Sequence, residues 1–195
     1  MNKPDFEIRP GLLGMCDRAG IRVAARVLGP NATQQELWLQ LVPAVIAPVV
    51  VWGFARTLPL PWNGLQLAIA MLFAFDLTGG IITNATTTAK RWYHRPGQTF
   101  GDHFGFIAIH GLHLFLVAVL FRGGDWFFLG CTYSYLLLGA AIILVVSRDL
   151  VRPVALLVCS LGLLLNFYLV PPTVGLEWFL PFLWLKLFVS HLLPE

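Results

Sequence analysis

Apolar residues in this chain come in long blocks, each about the length of a membrane-crossing helix and each closed by turn-forming residues. The blocks cover residues 37–56, 65–84, 103–121, 126–146, 150–170 and 176–193, and they predict about six transmembrane helices. The stretches LPLPWNG, RPGQTFGD, RGGD, SRD and PPTVG separate them, and their glycines, prolines and charges are the residues that end helices. Pro43 and Pro48 in the first block and Pro181 in the last predict kinks, because a proline ring removes a backbone donor. Ahead of the first block, residues 11–29 place Ile21, Ala24, Ala25 and Leu28 on one side and Arg18, Arg22 and Arg26 on another. That spacing predicts an amphipathic helix lying at the membrane interface.

Composition agrees with the pattern. Hydrophobic residues make up 57% and charged residues 12% of the 195, and the mean hydropathy is +0.75, outside the range of a soluble globular chain. The expected fold class is therefore all-α, a polytopic bundle in a single membrane domain covering residues 1–195. Six spans with short loops leave no room for a soluble domain. The opening MNKPDFEIRPGLLG has acids, prolines and glycines where a cleavable signal needs an apolar core. Cys16, Cys131 and Cys159 are far apart and make no CxxC or CxxCH spacing, so neither a disulfide framework nor c-type haem attachment is indicated.

Charge sets an expected orientation. Lys3, Arg9, Arg18, Arg22, Arg26, Lys90, Arg91, Arg95, Arg148 and Arg152 fall on one side of the predicted spans, and Arg56 and Arg122 on the other. By the positive-inside rule both termini are cytoplasmic, and a bacterial inner (plasma) membrane is the expected location. The same bias accounts for the net charge of +3, so no nucleic-acid partner is expected. Membrane lipid is the expected partner, and short loops with an even span count suit a monomer or a homo-oligomer.

Polar residues inside the spans carry the candidate chemistry. At 1.5 Å per residue, Asp76 lies about 12 Å from the cytoplasmic end of its helix, His110 at about the same depth and Lys186 at about 10 Å. Ionisable groups at that depth face the bundle interior or a wet cavity and have partners. His103, His110 and His113 fall within an arc of about 80° on one helix, with His110 and His113 about 4.5 Å apart along its axis. Asp76, His110 and His113 are thus the candidate ligands for zinc or another divalent ion, and Asp76 and His110 the candidate catalytic pair. His94, Asp102, His103 and His191 can gather at the cytoplasmic rim. Thr83 and Asn84, with His103, Lys186 and His191, are expected to line the cavity.

The segment AKRWYHRPGQ sets Lys90, Arg91, His94 and Arg95 beside Trp92 and Tyr93, a combination that suits an anionic lipid headgroup. Each residue also has a plainer reading: Asp76 and Lys186 as a buried ion pair, the histidines and Gly105 and Gly111 as packing, the bases as a surface anchor. An acid and three histidines inside a membrane are ingredients that resemble those of membrane hydrolases such as the alkaline ceramidases, where they hold zinc. In those families the histidines come from distant spans, whereas here three crowd one helix, so no family is assigned. The expected functions are an intramembrane enzyme, a hydrolase or transferase acting on a lipid or isoprenoid; a redox protein holding haem or quinone, with His103 or His110 and His191 as axial ligands; a small transporter or channel using Asp76, Lys186 and the histidines; or a noncatalytic scaffold.

Overall fold

A computed structural model describes residues 32–194; the amphipathic helix expected at 11–29 lies outside them. The first helix, α1, is Gln34–Thr57. It begins with a reciprocal cap: the Glu36 amide donates to Thr33 Oγ1 at 3.2 Å and the Thr33 amide to a Glu36 carboxylate oxygen at 2.8 Å, which satisfies donors that a helix start leaves unpaired. The helix continues through Pro43 and Pro48. Helix α2, Gly64–Ala85, starts with the same device made by Asn63 and Gln66. Thr86, in extended conformation, ends α2 and caps α3, Thr87–Tyr93.

The predicted third span is two helices. Helix α4 is Phe100–Ile109, capped by Thr99 and Asp102, and α5 is Gly111–Leu120. At the junction the His110 amide turns to the Ile107 carbonyl at 3.0 Å, a tighter bond than the α-helical one four residues back. That choice leaves the Phe106 carbonyl without its usual backbone donor. Gly111 permits the bend to pack closely, since a methyl group there would meet the Tyr133 ring at 2.5 Å. The Tyr133 hydroxyl in turn donates to the Ala108 carbonyl at 3.3 Å. Gly105, by contrast, has nothing within 4 Å of where a Cβ would stand, so of the two glycines expected at close packing only Gly111 is in one.

Helix α6, Trp126–Val145, is capped by Asp125, and α7 is Val151–Tyr168. The last apolar block is broken into α8, Phe179–Trp184, and a π-helix, Leu185–His191. Five helical segments are long and apolar enough to cross a membrane: Gln34–Thr57, Gly64–Ala85, Phe100–Leu120, Trp126–Val145 and Val151–Tyr168. The expected sixth, at 176–193, is a shorter apolar helix over Phe179–His191, because loop and turn occupy the chain up to Trp178. Hydrogen bonds hold both the connection that precedes it and its far end. At one end Arg122 donates to the Pro171 carbonyl at 2.9 Å; at the opposite end Lys90 Nζ donates to the carbonyls of Ser190 and Leu193 at 3.0 and 2.5 Å.

The interior is filled by Phe73, Leu77, Ile107, Leu114, Phe128, Leu136, Leu183, Trp184 and Phe188, all buried. Large apolar side chains also cover the outside: Val45, Val49, Leu72, Ile109, Leu112, Leu138, Leu157 and Leu164 are exposed. A continuous apolar exterior of this kind matches a hydrocarbon surrounding, in which helices satisfy their own backbone groups.

Candidate functional site

Asp76 is on α2, facing α5 and the π-helix. One of its carboxylate oxygens, Oδ2, accepts from Lys186 Nζ at 2.6 Å and lies 3.1 Å from His113 Nε2. The lysine stem reaches the acid across Gly80, where a methyl group would collide with the Lys186 side chain. Lys186 is the more deeply enclosed partner, its side chain 5% exposed against 40% for Asp76. The two bases expected as alternative partners for Asp76, a histidine and Lys186, therefore share one oxygen. The histidine in contact is His113, and His110 stands behind it with ring centroids 5.1 Å apart and planes at 17°.

The tautomers of this pair follow from their partners. His110 Nδ1 is 2.8 Å from the Phe106 carbonyl, the carbonyl freed by the helix break. A carbonyl only accepts, so Nδ1 carries the hydrogen and, in the neutral ring, Nε2 carries the lone pair. His113 donates Nε2–H to Asp76, and its Nδ1 is buried without a partner. Among the described residues no group of three or more His, Cys, Asp or Glu side chains is arranged to hold a metal ion.

A second cluster forms at the rim, where α3, α4 and the π-helix meet. The rings of His94 and His103 stack at 4.7 Å, and His191 lies 5.5 Å from His103 and 6.4 Å from His94. His94 Nε2 is 2.9 Å from the His191 carbonyl and so donates to it. His191 is 3% exposed, and neither of its ring nitrogens has a partner. Two buried nitrogens with nothing to bond to are costly in a finished fold. Burial holds the His94 imidazole below its ordinary value, with the Lys90 ammonium adding to the effect against the bond to His191, and burial raises the Tyr93 hydroxyl.

Phe106 joins the two clusters. Its ring stacks on His191 at 4.0 Å and lies 4.9 Å from His110. All five histidines of the chain thus lie in one file running from the rim to Asp76 and Lys186. No protein family, curated protein or solved structure matches the chain, so this file is described by its own geometry alone.

Beside the rim cluster is a pocket of about 550 Å³ lined by Trp92, Tyr93, Arg95, Gln98, Asp102, His103, Phe106 and His191. Arg95 is held over the Trp92 ring at 4.1 Å and bonds the Trp92 carbonyl. The other bases expected at a headgroup are placed differently: Lys90 clasps the end of the π-helix, and Arg91 is exposed. Thr83 bonds Gln40 of α1 at 3.3 Å, and Asn84 is buried with an unpartnered amide nitrogen, as is Gln40. These three form part of the seam between α1 and α2.

Phe106 and Gln40 escaped the sequence reading, which follows ionisable groups and the aromatic rim. Phe106 was available to it, four residues before His110 and so on the same helix face.

Proposed function

We propose that the protein is a membrane enzyme acting on a lipid or isoprenoid with an anionic head, bound at the rim pocket. The observation that carries this reading is His191, buried and with both ring nitrogens unpartnered, at the wall of a cavity that also presents Arg95 and His103. Arg95 supplies the charge for a phosphate or carboxylate head, and Trp92, Tyr93 and Phe106 supply apolar surface for the adjoining chain. The segregation of bases at this end of the bundle supports a cytoplasmic rim, where anionic lipid is concentrated.

The two imidazoles suit general acid–base chemistry. One takes a proton from water, or from an acceptor hydroxyl, as the oxygen bonds to the ester carbon or phosphorus. The other, protonated, gives its proton to the leaving oxygen as that bond breaks. With water the result is hydrolysis; with an acceptor alcohol it is transfer.

Mass spectrometry of membrane lipids tests the reading. Cells expressing His191→Ala or His103→Ala in place of the natural chain accumulate one lipid class and lose another, and Arg95→Gln weakens retention of the anionic species that co-purifies with the protein. Lipid profiles identical in all strains overturn it. Elemental analysis and an optical spectrum of the same preparation test zinc and haem: stoichiometric zinc, or a Soret band, would replace the imidazole mechanism with a metal one.

A further inference from the structure

Asp76 stands in the middle of α2, about 14 Å along the axis from one end of that helix and about 18 Å from the other. Its side chain is nevertheless 40% exposed. Lys186 and His113 both bond Oδ2, and among the described residues Oδ1 accepts no hydrogen bond. Toward the bundle interior lie those two partners and Phe73, which is buried and stacked on His113 at 5.2 Å. Leu72, one turn before Asp76 and on the same face of α2, is exposed, as are Phe75 and, beside His113 on α5, Leu112. These side chains are part of the apolar exterior, so the uncovered part of the carboxylate opens sideways toward hydrocarbon. An ionised oxygen in such surroundings is costly without a donor.

We propose that this opening between α2 and α5 binds a neutral lipid alcohol, its hydroxyl donating to Asp76 Oδ1 and its hydrocarbon chain lying along Leu72, Phe75 and Leu112. Charge selects the class. The carboxylate and the Lys186 ammonium are 2.6 Å apart and cancel, so an added cation or anion would leave a net charge inside the hydrocarbon. A hydroxyl adds no charge, and a hydrogen bond to an ionised oxygen is among the stronger kinds. Depth selects the head. A phospholipid keeps its charged head at the membrane surface, whereas a long-chain or isoprenoid alcohol, with one hydroxyl as its only polar group, can carry it to the middle of a helix at far smaller desolvation cost. None of the residues that line the rim pocket takes part, so the alcohol site does not rest on the reaction proposed there.

The test uses the full chain in phosphatidylcholine vesicles and two probes: hexadecanol carrying a photoactivatable diazirine near its hydroxyl, and the methyl ether of the same molecule. After irradiation the alcohol labels peptides holding Leu72, Phe75 and Leu112 severalfold more than peptides holding Val45 and Leu157, which are also exposed. Unmodified hexadecanol competes with it, and the ether shows no such preference. Asp76→Leu combined with Lys186→Met removes both charges together, which strands neither partner, and brings labelling by the alcohol down to that of the ether. Label spread evenly over the exposed residues overturns the proposal, and so does an opening that a second copy of the chain covers and keeps unlabelled. Equal labelling by alcohol and ether in the natural chain overturns it whether or not the double variant folds, and a folded double variant labelled like the natural chain does the same. Unchanged membrane lipids with this labelling intact overturn the enzyme reading alone, and altered lipids without the labelling overturn the alcohol site alone.

Discussion

Lys186 owes its place to a missing methyl group. Gly80 leaves the groove through which the lysine reaches Asp76, so Gly80→Ala forces the stem aside at a cost of about 1–3 kcal/mol, the usual range for overpacking, read as a lowered midpoint in detergent melting. The two members of the ion pair are unequal, and their burial decides the order. Asp76→Asn strands an ammonium that is 5% exposed and costs about 3 kcal/mol or more, the range for an uncompensated buried charge. Lys186→Met leaves a carboxylate that is 40% exposed and still bonded to His113, so its melting midpoint falls less. Equal losses in the two variants would contradict that asymmetry. The neighbourhood of Asp76 was legible in the sequence because depth along a helix is simple arithmetic. The choice of His113 over His110 was not, since it depends on where the His110 side chain turns once the backbone frees the Phe106 carbonyl.

Helices are where the sequence pattern is most informative and where its failures have local causes. Five apolar blocks became long helical segments, each begun close to a polar residue suited to capping or turning. The last block did not become a full-length helix, because hydropathy does not distinguish an apolar loop through Val174 and Leu176 from a helix. The break in the third block was equally hidden, as His110 and Gly111 do not by themselves demand one. Gly111→Ala should cost about 1–3 kcal/mol through contact with Tyr133, and Tyr133→Ala in the same chain should recover part of it. Full additivity of the two losses would show that the contact does not set the bend. At the start of α6, Asp125 accepts from the Phe128 amide at 2.8 Å and pairs with Arg122 at 2.7 Å. The Phe128 amide first, and then Arg122, hold its carboxyl below the ordinary value of 3.8. Its stabilisation is therefore complete above that value and lost as pH falls through the lower native one. Asp125→Ala should cost about 1 kcal/mol, as caps usually do, and should flatten the acid limb of the stability curve.

Across the whole molecule the two ends have different jobs. Loops around Arg122, Pro171 and Thr173 tie one end together, while the other gathers the bases, the pocket and the rim histidines. His94 is part of that rim fastening, and its lowered value means the folded state favours the neutral ring. Stability is thus full above the ordinary value of 6.5 and declines as pH falls toward the native one. Melting midpoints measured from pH 7.5 to 5 should drop, and His94→Asn should shallow the slope; a slope unchanged by that substitution would assign it to other groups. The gathering of histidines at the rim was visible in the spacing, but their continuity with the inner pair through Phe106 was not, because an apolar ring carries no chemical flag. The π-helix has a further consequence for that continuity. Lys186 and His191 are five residues apart, the interval that closes a π-turn, and in an α-helix they would point about 140° away from each other. One extra residue in the turn is what lets a single short segment serve both clusters from the same side. Removing any one residue between them would leave them four residues apart, about 40° from each other in an α-helix. The backbone could then relax to the commoner winding with both clusters still served from one side. Replacing the π-turn by α-winding at the present length is what would part them.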